Sequence, residues 1–233
     1  MGYSISGLRL RYGERAVFDG LSLELVPHTA TAVLGPSGCG KTSLLMSVAG
    51  LLPEAEADRS GFEDARFGFA FQEPRLLPWL SAEDNVAFVL RLTSGKAAAR
   101  ERARDFLGRV GLSRELSKRP SELSGGMRQR VSLARAFAFP SDVLLMDEPF
   151  QSVDPRTRAG LVEAFLELEA TERRTVLFVT HDIAEAIRIG DRVCALSGAP
   201  AAMVADLRPD PKDEAERREL ETRLYSLAFS GLA

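Results

Sequence analysis

Gly35-Pro36-Ser37-Gly38-Cys39-Gly40-Lys41-Thr42 is the stretch from which the rest of this chain is read. An apolar segment, Thr31-Ala32-Val33-Leu34, runs into it, and Ser43-Leu44-Leu45-Met46-Ser47-Val48-Ala49 leaves it with good helix formers. The order is strand, glycine-rich loop, helix, with the spacing G-x-x-x-x-G-K-[ST] of a phosphate-binding loop. Glycines allow backbone conformations that other residues resist, so successive amide N–H groups can point into one concavity at a helix N-terminus. Lys41 is expected to place a point charge on the β- and γ-phosphates, and the Thr42 hydroxyl to ligate Mg²⁺.

Composition narrows the classes around that loop. The 233 residues suit one domain with a large core. With 27% charged residues and a net charge of −3, nothing points to non-specific nucleic-acid binding. No apolar run approaches the roughly 20 residues of a membrane-spanning helix. The first residues, Met1-Gly2-Tyr3-Ser4, lack the basic-then-apolar pattern of a signal peptide. Cys39 and Cys194 sit in unrelated contexts, which suggests neither a disulfide framework nor a metal site.

Outward from the loop, apolar runs alternate with helical patterns. Residues 3–10 and 17–25 read as antiparallel strands joined through residues 11–15, with Tyr12 at a strand end. Residues 54–63 read as a short polar connector. Residues 66–71 form a buried strand ending at Gln72, and the apolar segment 76–80, with Trp79, follows. Residues 76–80 have two readings, a groove that receives a partner's helix or packing of Trp79 under the helices that follow. Ser81 and Asp84 form a helix start. Helices are expected near residues 95–110 and 125–136, the latter opened by Leu123-Ser124-Gly125-Gly126-Met127-Arg128-Gln129. Val143-Leu144-Leu145-Met146 is a continuously apolar strand ending in Asp147-Glu148-Pro149. Asp154-Pro155 starts a helix as N-cap and first-turn proline. Residues 175–179 form another buried strand, ending at Thr180-His181-Asp182, and a charged helix closes the chain. Repeated βαβ order gives a parallel sheet with ligands beyond the C-terminal strand ends. Four polar features, the loop at Gly35, Gln72, Asp147-Glu148 and His181, directly follow apolar strands and so share one edge.

The L-S-G-G-x-x-Q segment upstream of a strand ending in D-E-P resembles the ATPase subunit of an ATP-binding cassette (ABC) transporter. Tyr12, residues 35–42, Gln72, Ser124-Gly125-Gly126, Asp147-Glu148, Ser152-Val153-Asp154 and His181 occur in that family's order and cover essentially the whole chain. The resemblance implies an α/β P-loop NTPase fold: a RecA-like, mostly parallel sheet, an antiparallel β-subdomain shortened between residues 50 and 67, and an inserted α-helical subdomain. It implies a single domain over residues 1–233, with the core in 1–75 and 139–233 and the helical subdomain in 76–138. The short segment after the last strands leaves no room for an appended regulatory domain.

By the same resemblance ATP would be held by Tyr12, Gly35, Pro36, Ser37, Gly38, Cys39, Gly40, Lys41, Thr42 and Ser43. Mg²⁺ would be held by Thr42, Gln72 and Asp147. Glu148 would orient or deprotonate the attacking water, and His181 would contact the γ-phosphate, with Gln72 and Lys41 completing the catalytic set. Ser124, Gly125 and Gly126 would reach the nucleotide of a second copy, making a head-to-tail dimer; Asp154 would lie at that interface, though an N-cap role explains it nearly as well. Phe71-Gln72-Glu73-Pro74-Arg75-Leu76-Leu77-Pro78-Trp79 with Asn85-Val86 resembles the nitrate, sulfonate and taurine importers. Those importers pair two such subunits with two permease subunits and an extracytoplasmic solute-binding protein, which puts this chain peripherally at the cytoplasmic face of the inner membrane. The alternative is a soluble ABC ATPase outside transport.

Overall fold

The computed structural model describes residues 2–91, 93–151, 153–210 and 212–229. The chain runs β1 (Tyr3–Tyr12), β2 (Arg15–Leu25), β3 (Ala30–Leu34), α1 (Lys41–Val48), β4 (Glu56–Ser60), β5 (Phe67–Ala70), α2 (Ala82–Leu90) and α3 (Lys96–Arg109). It continues through a short 3₁₀ turn, α4 (Gly125–Ala138), β6 (Val143–Asp147), α5 (Pro155–Glu172), β7 (Thr175–Thr180), α6 (Ile183–Ile189), β8 (Arg192–Ser197), β9 (Ala202–Leu207) and α7 (Glu214–Phe229). None of the described helices is long and apolar enough to cross a membrane. Contacts divide the chain into two compact units, residues 1–65 with 174–233, and residues 66–173.

In the first unit, β3 pairs in parallel with both β7 and β8, and β9 closes against β8 antiparallel. Every residue of β3 and β7 is buried. That is why both read as unbroken apolar runs rather than alternating ones. A separate antiparallel sheet has the order β2-β1-β4. Here Ile5, Leu8, Leu10, Leu21, Leu23 and Leu25 turn inward while their neighbours stay wet, the period of a half-buried sheet.

β4 corrects the expectation of a polar connector over residues 54–63. Glu56–Ser60 is an edge strand on β1, with Ser4 opposite Ser60 and Arg9 opposite Glu56. Its charged, half-wet residues suit an edge and hide it from a reading based on apolar alternation. The β-subdomain is thus three-stranded, with a single strand between α1 and β5.

At the edge of the parallel set, Arg192 forks onto both oxygens of Asp206 on β9 (2.7 and 2.6 Å) and donates to the Glu24 carbonyl at 2.6 Å. That guanidinium holds the Asp206 carboxyl below the usual carboxylate range. Beside them burial pushes the Cys194 thiol up to about 12.

In the second unit, β5 and β6 are parallel neighbours with α2, α3, α4 and α5 around them. Phe137, Phe150 and Phe165 pack edge to face at its centre, with ring centroids 5.6 and 5.9 Å apart. The helix starts are chemically specified. Ser81 Oγ accepts from the Asp84 amide at 3.0 Å, and the Asp154 carboxylate accepts from the Arg156 and Thr157 amides at 3.2 and 3.1 Å. Thr157 also holds the Asp154 carboxyl below its usual range through its side chain. The N-cap accounts for Asp154 without an interface. Ser152 lies outside the described residues.

Candidate active site

In the first unit, the phosphate loop leaves β3 and turns into α1. The Gly35 amide donates back to the Thr180 carbonyl at 3.3 Å, and the Leu44 amide to the Gly40 carbonyl at 2.8 Å opens the helix. Gly40 is the N-cap, in the left-handed region at φ 103°. A Cβ there would meet Val17 Cγ1 at 2.5 Å, so only glycine lets the loop sit this close to β2. α1 carries no acidic residue in its first turn, which leaves its positive end open to an anion.

Lys41 is only 5% exposed. Its ammonium donates to the carbonyls of Gly35 (2.8 Å) and Pro36 (3.0 Å), strapping the start of the loop to its end. Ser37, Gly38 and Thr42 are exposed at the loop's outer surface, and Cys39 is buried beneath it. Arg15 donates to the Gly38 carbonyl at 3.2 Å. Nothing in the sequence pattern marked Arg15, because this contact spans 23 positions. Tyr12 ends β1 half exposed, its hydroxyl 3.4 Å from Ser43 Oγ.

His181 follows β7 directly. Leu34 pairs with Thr180, so the phosphate loop and His181 leave adjacent strands at the same level. Its ring is at the surface while the backbone around it is pinned. The Asp182 amide donates to Thr180 Oγ1 at 3.0 Å, Thr180 Oγ1 donates to buried Glu185 at 3.0 Å, and Asp182 caps α6.

In the second unit the same construction recurs. Ala70 pairs with Met146, so the segment carrying Gln72 and the Asp147-Glu148 pair leave adjacent strand ends. Gln72 is exposed, and Asp147 and Glu148 are half-buried. Glu148 has φ 42°, a left-handed conformation that costs a non-glycine residue about 1 kcal/mol. Strain of this kind persists where the surrounding structure fixes a side chain's direction.

Ser124 is the N-cap of α4, its Oγ accepting from the Met127 amide at 3.2 Å, and Gly125 and Gly126 are the first helical residues. This helix also has no acidic residue in its first turn. Gln129, one turn on and 4% exposed, donates from Nε2 to the Gln72 carbonyl at 2.6 Å. The sequence motif includes Gln129 but does not reveal that bond, which ties α4 to the Gln72 turn.

Residues 76–80 are shaped by Asn85. Its Oδ1 accepts from the Leu77 amide (2.8 Å), and its Nδ2 donates to the carbonyls of Leu77, Leu80 and Ser81 at 3.0–3.2 Å. Trp79 projects from this clamped turn 67% exposed. Packing of Trp79 under the helical block, one of the two sequence readings of residues 76–80, is therefore wrong. The turn's hydrogen bonds go to Asn85, so its shape does not require burial of the indole.

The profile of the ABC transporter family matches residues 18–151. An aliphatic sulfonates import ATP-binding protein, SsuB 2 of Burkholderia cenocepacia (strain HI2424), is 40% identical over 217 residues, 91% of this chain and 79% of that protein. A taurine import ATP-binding protein, TauB of Chromobacterium violaceum, is 42% identical over 209 residues, covering 86% and 80% respectively. Among solved structures, the dimeric post-hydrolysis state of the ATP-binding cassette MJ0796 bound to ADP and Pi aligns with a TM-score of 0.76 at 27% identity. That alignment covers 89% of this chain and 99% of that one.

Proposed function

The chain belongs to the ABC transporter family, and from that premise we propose that it is the ATP-hydrolysing subunit of an importer for small sulfonates of the taurine and alkanesulfonate kind. The observation that carries the reading is the placement at strand ends. The phosphate loop and His181 leave the paired strands β3 and β7, while Gln72 and Asp147-Glu148 leave the paired strands β5 and β6. The relatives named for sulfonate and taurine import support the solute class.

In this reading the chain is one ATPase domain over residues 1–233. Tyr12 stacks on adenine, and the amides of residues 35–43 with Lys41 bind the phosphates. Lys41 is held by two carbonyls, so its charge waits at the loop without reorganisation. Glu148 accepts a proton from water as the water oxygen bonds the γ-phosphorus and the bond to the β–γ bridging oxygen breaks. Gln72 orients that water and His181 contacts the γ-phosphate. The hydroxyl of Thr42, the amide oxygen of Gln72 and the carboxylate of Asp147 are hard oxygen donors that suit Mg²⁺. Bound Mg²⁺ would neutralise charge on the β- and γ-phosphate oxygens.

The open N-terminus of α4, with Ser124, Gly125 and Gly126, binds the nucleotide of a second copy in a head-to-tail dimer. The dimeric cassette bound to ADP and Pi supports this assembly. Permease subunits hold the chain at the cytoplasmic face of the membrane, engaging the second unit around the exposed Trp79, and an extracytoplasmic solute-binding protein delivers solute to them.

The test is reconstitution with the permease. ATP-dependent uptake of labelled taurine or an alkanesulfonate is expected, abolished by Lys41→Ala. Hydrolysis with uptake of neither solute would refute the solute class. Wild-type turnover in Lys41→Ala would refute the site.

A further inference from the structure

Glu185 is 5% exposed, a carboxylate placed where packing alone would favour an apolar side chain. Helix capping does not explain it. The N-cap of α6 is Asp182, whose Oδ1 accepts from the Glu185 amide at 3.1 Å. The Glu185 side chain reaches back instead, and its Oε2 accepts from the hydroxyl of Thr180 at 3.0 Å. Thr180 is the last residue of β7 and fully buried. Its Oγ1 in turn accepts from the Asp182 amide at 3.0 Å. These bonds close a ring through Asp182, Thr180 and Glu185, and His181 is the one residue between its two backbone anchors.

The chemistry of the ring is directional. A carboxylate accepts only, so it takes the hydroxyl hydrogen of Thr180 and leaves the oxygen's lone pairs to the Asp182 amide. A carboxamide at position 185 would offer an N–H to the same oxygen and compete with that amide. Thr180 also faces the phosphate loop. Its carbonyl accepts from the Gly35 amide at 3.3 Å, and the Gly35 carbonyl accepts from the Lys41 ammonium at 2.8 Å. One buried threonine thus holds the start of the loop through its main chain and the His181 turn through its side chain.

We propose that Glu185 is a positioning residue for ATP hydrolysis, acting through Thr180 Oγ1 to fix where His181 stands relative to the phosphate loop. The imidazole then meets the γ-phosphate without reorganisation. The inference rests on the reading of His181 as the γ-phosphate contact and adds the buried acid that holds it there. The loop amides and Lys41 bind the nucleotide independently of this ring, so loss of Glu185 should lower kcat and leave KM in place.

The experiment uses the full chain in the His28→Asn background. Asparagine suits the positive φ of 62° at that position, and of the two histidines only His181 then remains to be followed by NMR. Its imidazole resonance should differ between the complexes with MgADP and with Mg²⁺ and ATPγS. Glu185→Gln should at least halve that difference and lower kcat for MgATP by about 10–100-fold, the scale of a small misplacement. KM and melting temperature should stay near those of the parent. Thr180→Val should behave as Glu185→Gln does, Thr180→Ser should retain turnover, and the double variant Thr180→Val/Glu185→Gln should be no worse than either single one. Parental kcat and resonance difference in Glu185→Gln would overturn the inference. So would losses that multiply in the double variant, or a kcat that falls only in step with melting temperature. If Glu185→Gln does not fold, the threonine variants decide, and equal turnover in Thr180→Val and Thr180→Ser would overturn the inference. A His181 resonance in the parent that does not distinguish the two nucleotides would instead refute the γ-phosphate reading of His181.

Discussion

Gly125 and Gly126 are adjacent in sequence and opposite in what they tolerate. A Cβ on Gly126 would sit 2.2 Å from Thr157 Cγ2, so the start of α4 meets α5 through that missing methyl. Gly126→Ala should cost about 1–3 kcal/mol by overpacking. For a chain of this size that lowers the melting temperature by roughly 2–12 °C, at about 2–4 °C per kcal/mol. Removing the obstructing methyl with Thr157→Ser should return most of the loss, giving a coupling of about 1 kcal/mol or more in a double-mutant cycle. A Cβ on Gly125 meets nothing nearer than Arg128 Nη2 at 3.9 Å. Its backbone is helical, so Gly125→Ala should leave stability unchanged or raise it by about 0.5–1 kcal/mol. If Gly125 is glycine so that phosphates of a second copy can approach the amide, the alanine should cut ATP turnover by about 10²-fold, the scale of losing one preorganised anion contact. The assays are urea unfolding and phosphate release at saturating MgATP. Wild-type turnover in a fully folded Gly125→Ala protein would refute the composite site. A large loss of stability in that variant would refute the packing argument.

The strain at Glu148 separates backbone from side chain. Glu148→Gln should bind ATP, stall before hydrolysis and elute as a dimer, and a monomer with persisting turnover would refute its role. Glu148→Gly should stall equally but unfold no more easily than Glu148→Gln, being up to about 1 kcal/mol more stable because φ 42° costs glycine nothing. Asn85→Leu should destabilise by about 1–3 kcal/mol, since it strands one amide and three carbonyls. Trp79, the single tryptophan, should report the loosened turn through its emission, and an unchanged unfolding curve would refute the clamp. Cys194, pushed up to about 12 in the fold, binds its proton more tightly there than in the unfolded chain. Its contribution is therefore full below the unfolded thiol's value of about 8.5 and falls by up to about 1.4 kcal/mol per pH unit above it. Cys194→Val should flatten that alkaline slope in urea titrations between pH 8 and 10, and identical slopes would refute the assignment.

What the sequence determined by itself was local chemistry. The Ser81 and Asp154 caps and the helix start at Ser124 each depend on residues within four positions, and the phosphate loop on the eight residues 35–42, so spacing alone specifies them. The strands β3 and β7 were legible because burial on both faces makes a run apolar throughout. Tertiary structure decided whatever depends on partners distant in the chain. β4 is a strand because β1 offers it an edge, not because Glu56–Ser60 alternates. Gln129 reaches the Gln72 carbonyl across 57 positions, and Arg15 the Gly38 carbonyl across 23. A short polar segment carries no record of which strand edge it will meet. The conformation of Glu148 is likewise imposed from outside its own dipeptide, because a glutamate left to its local preferences would avoid a positive φ.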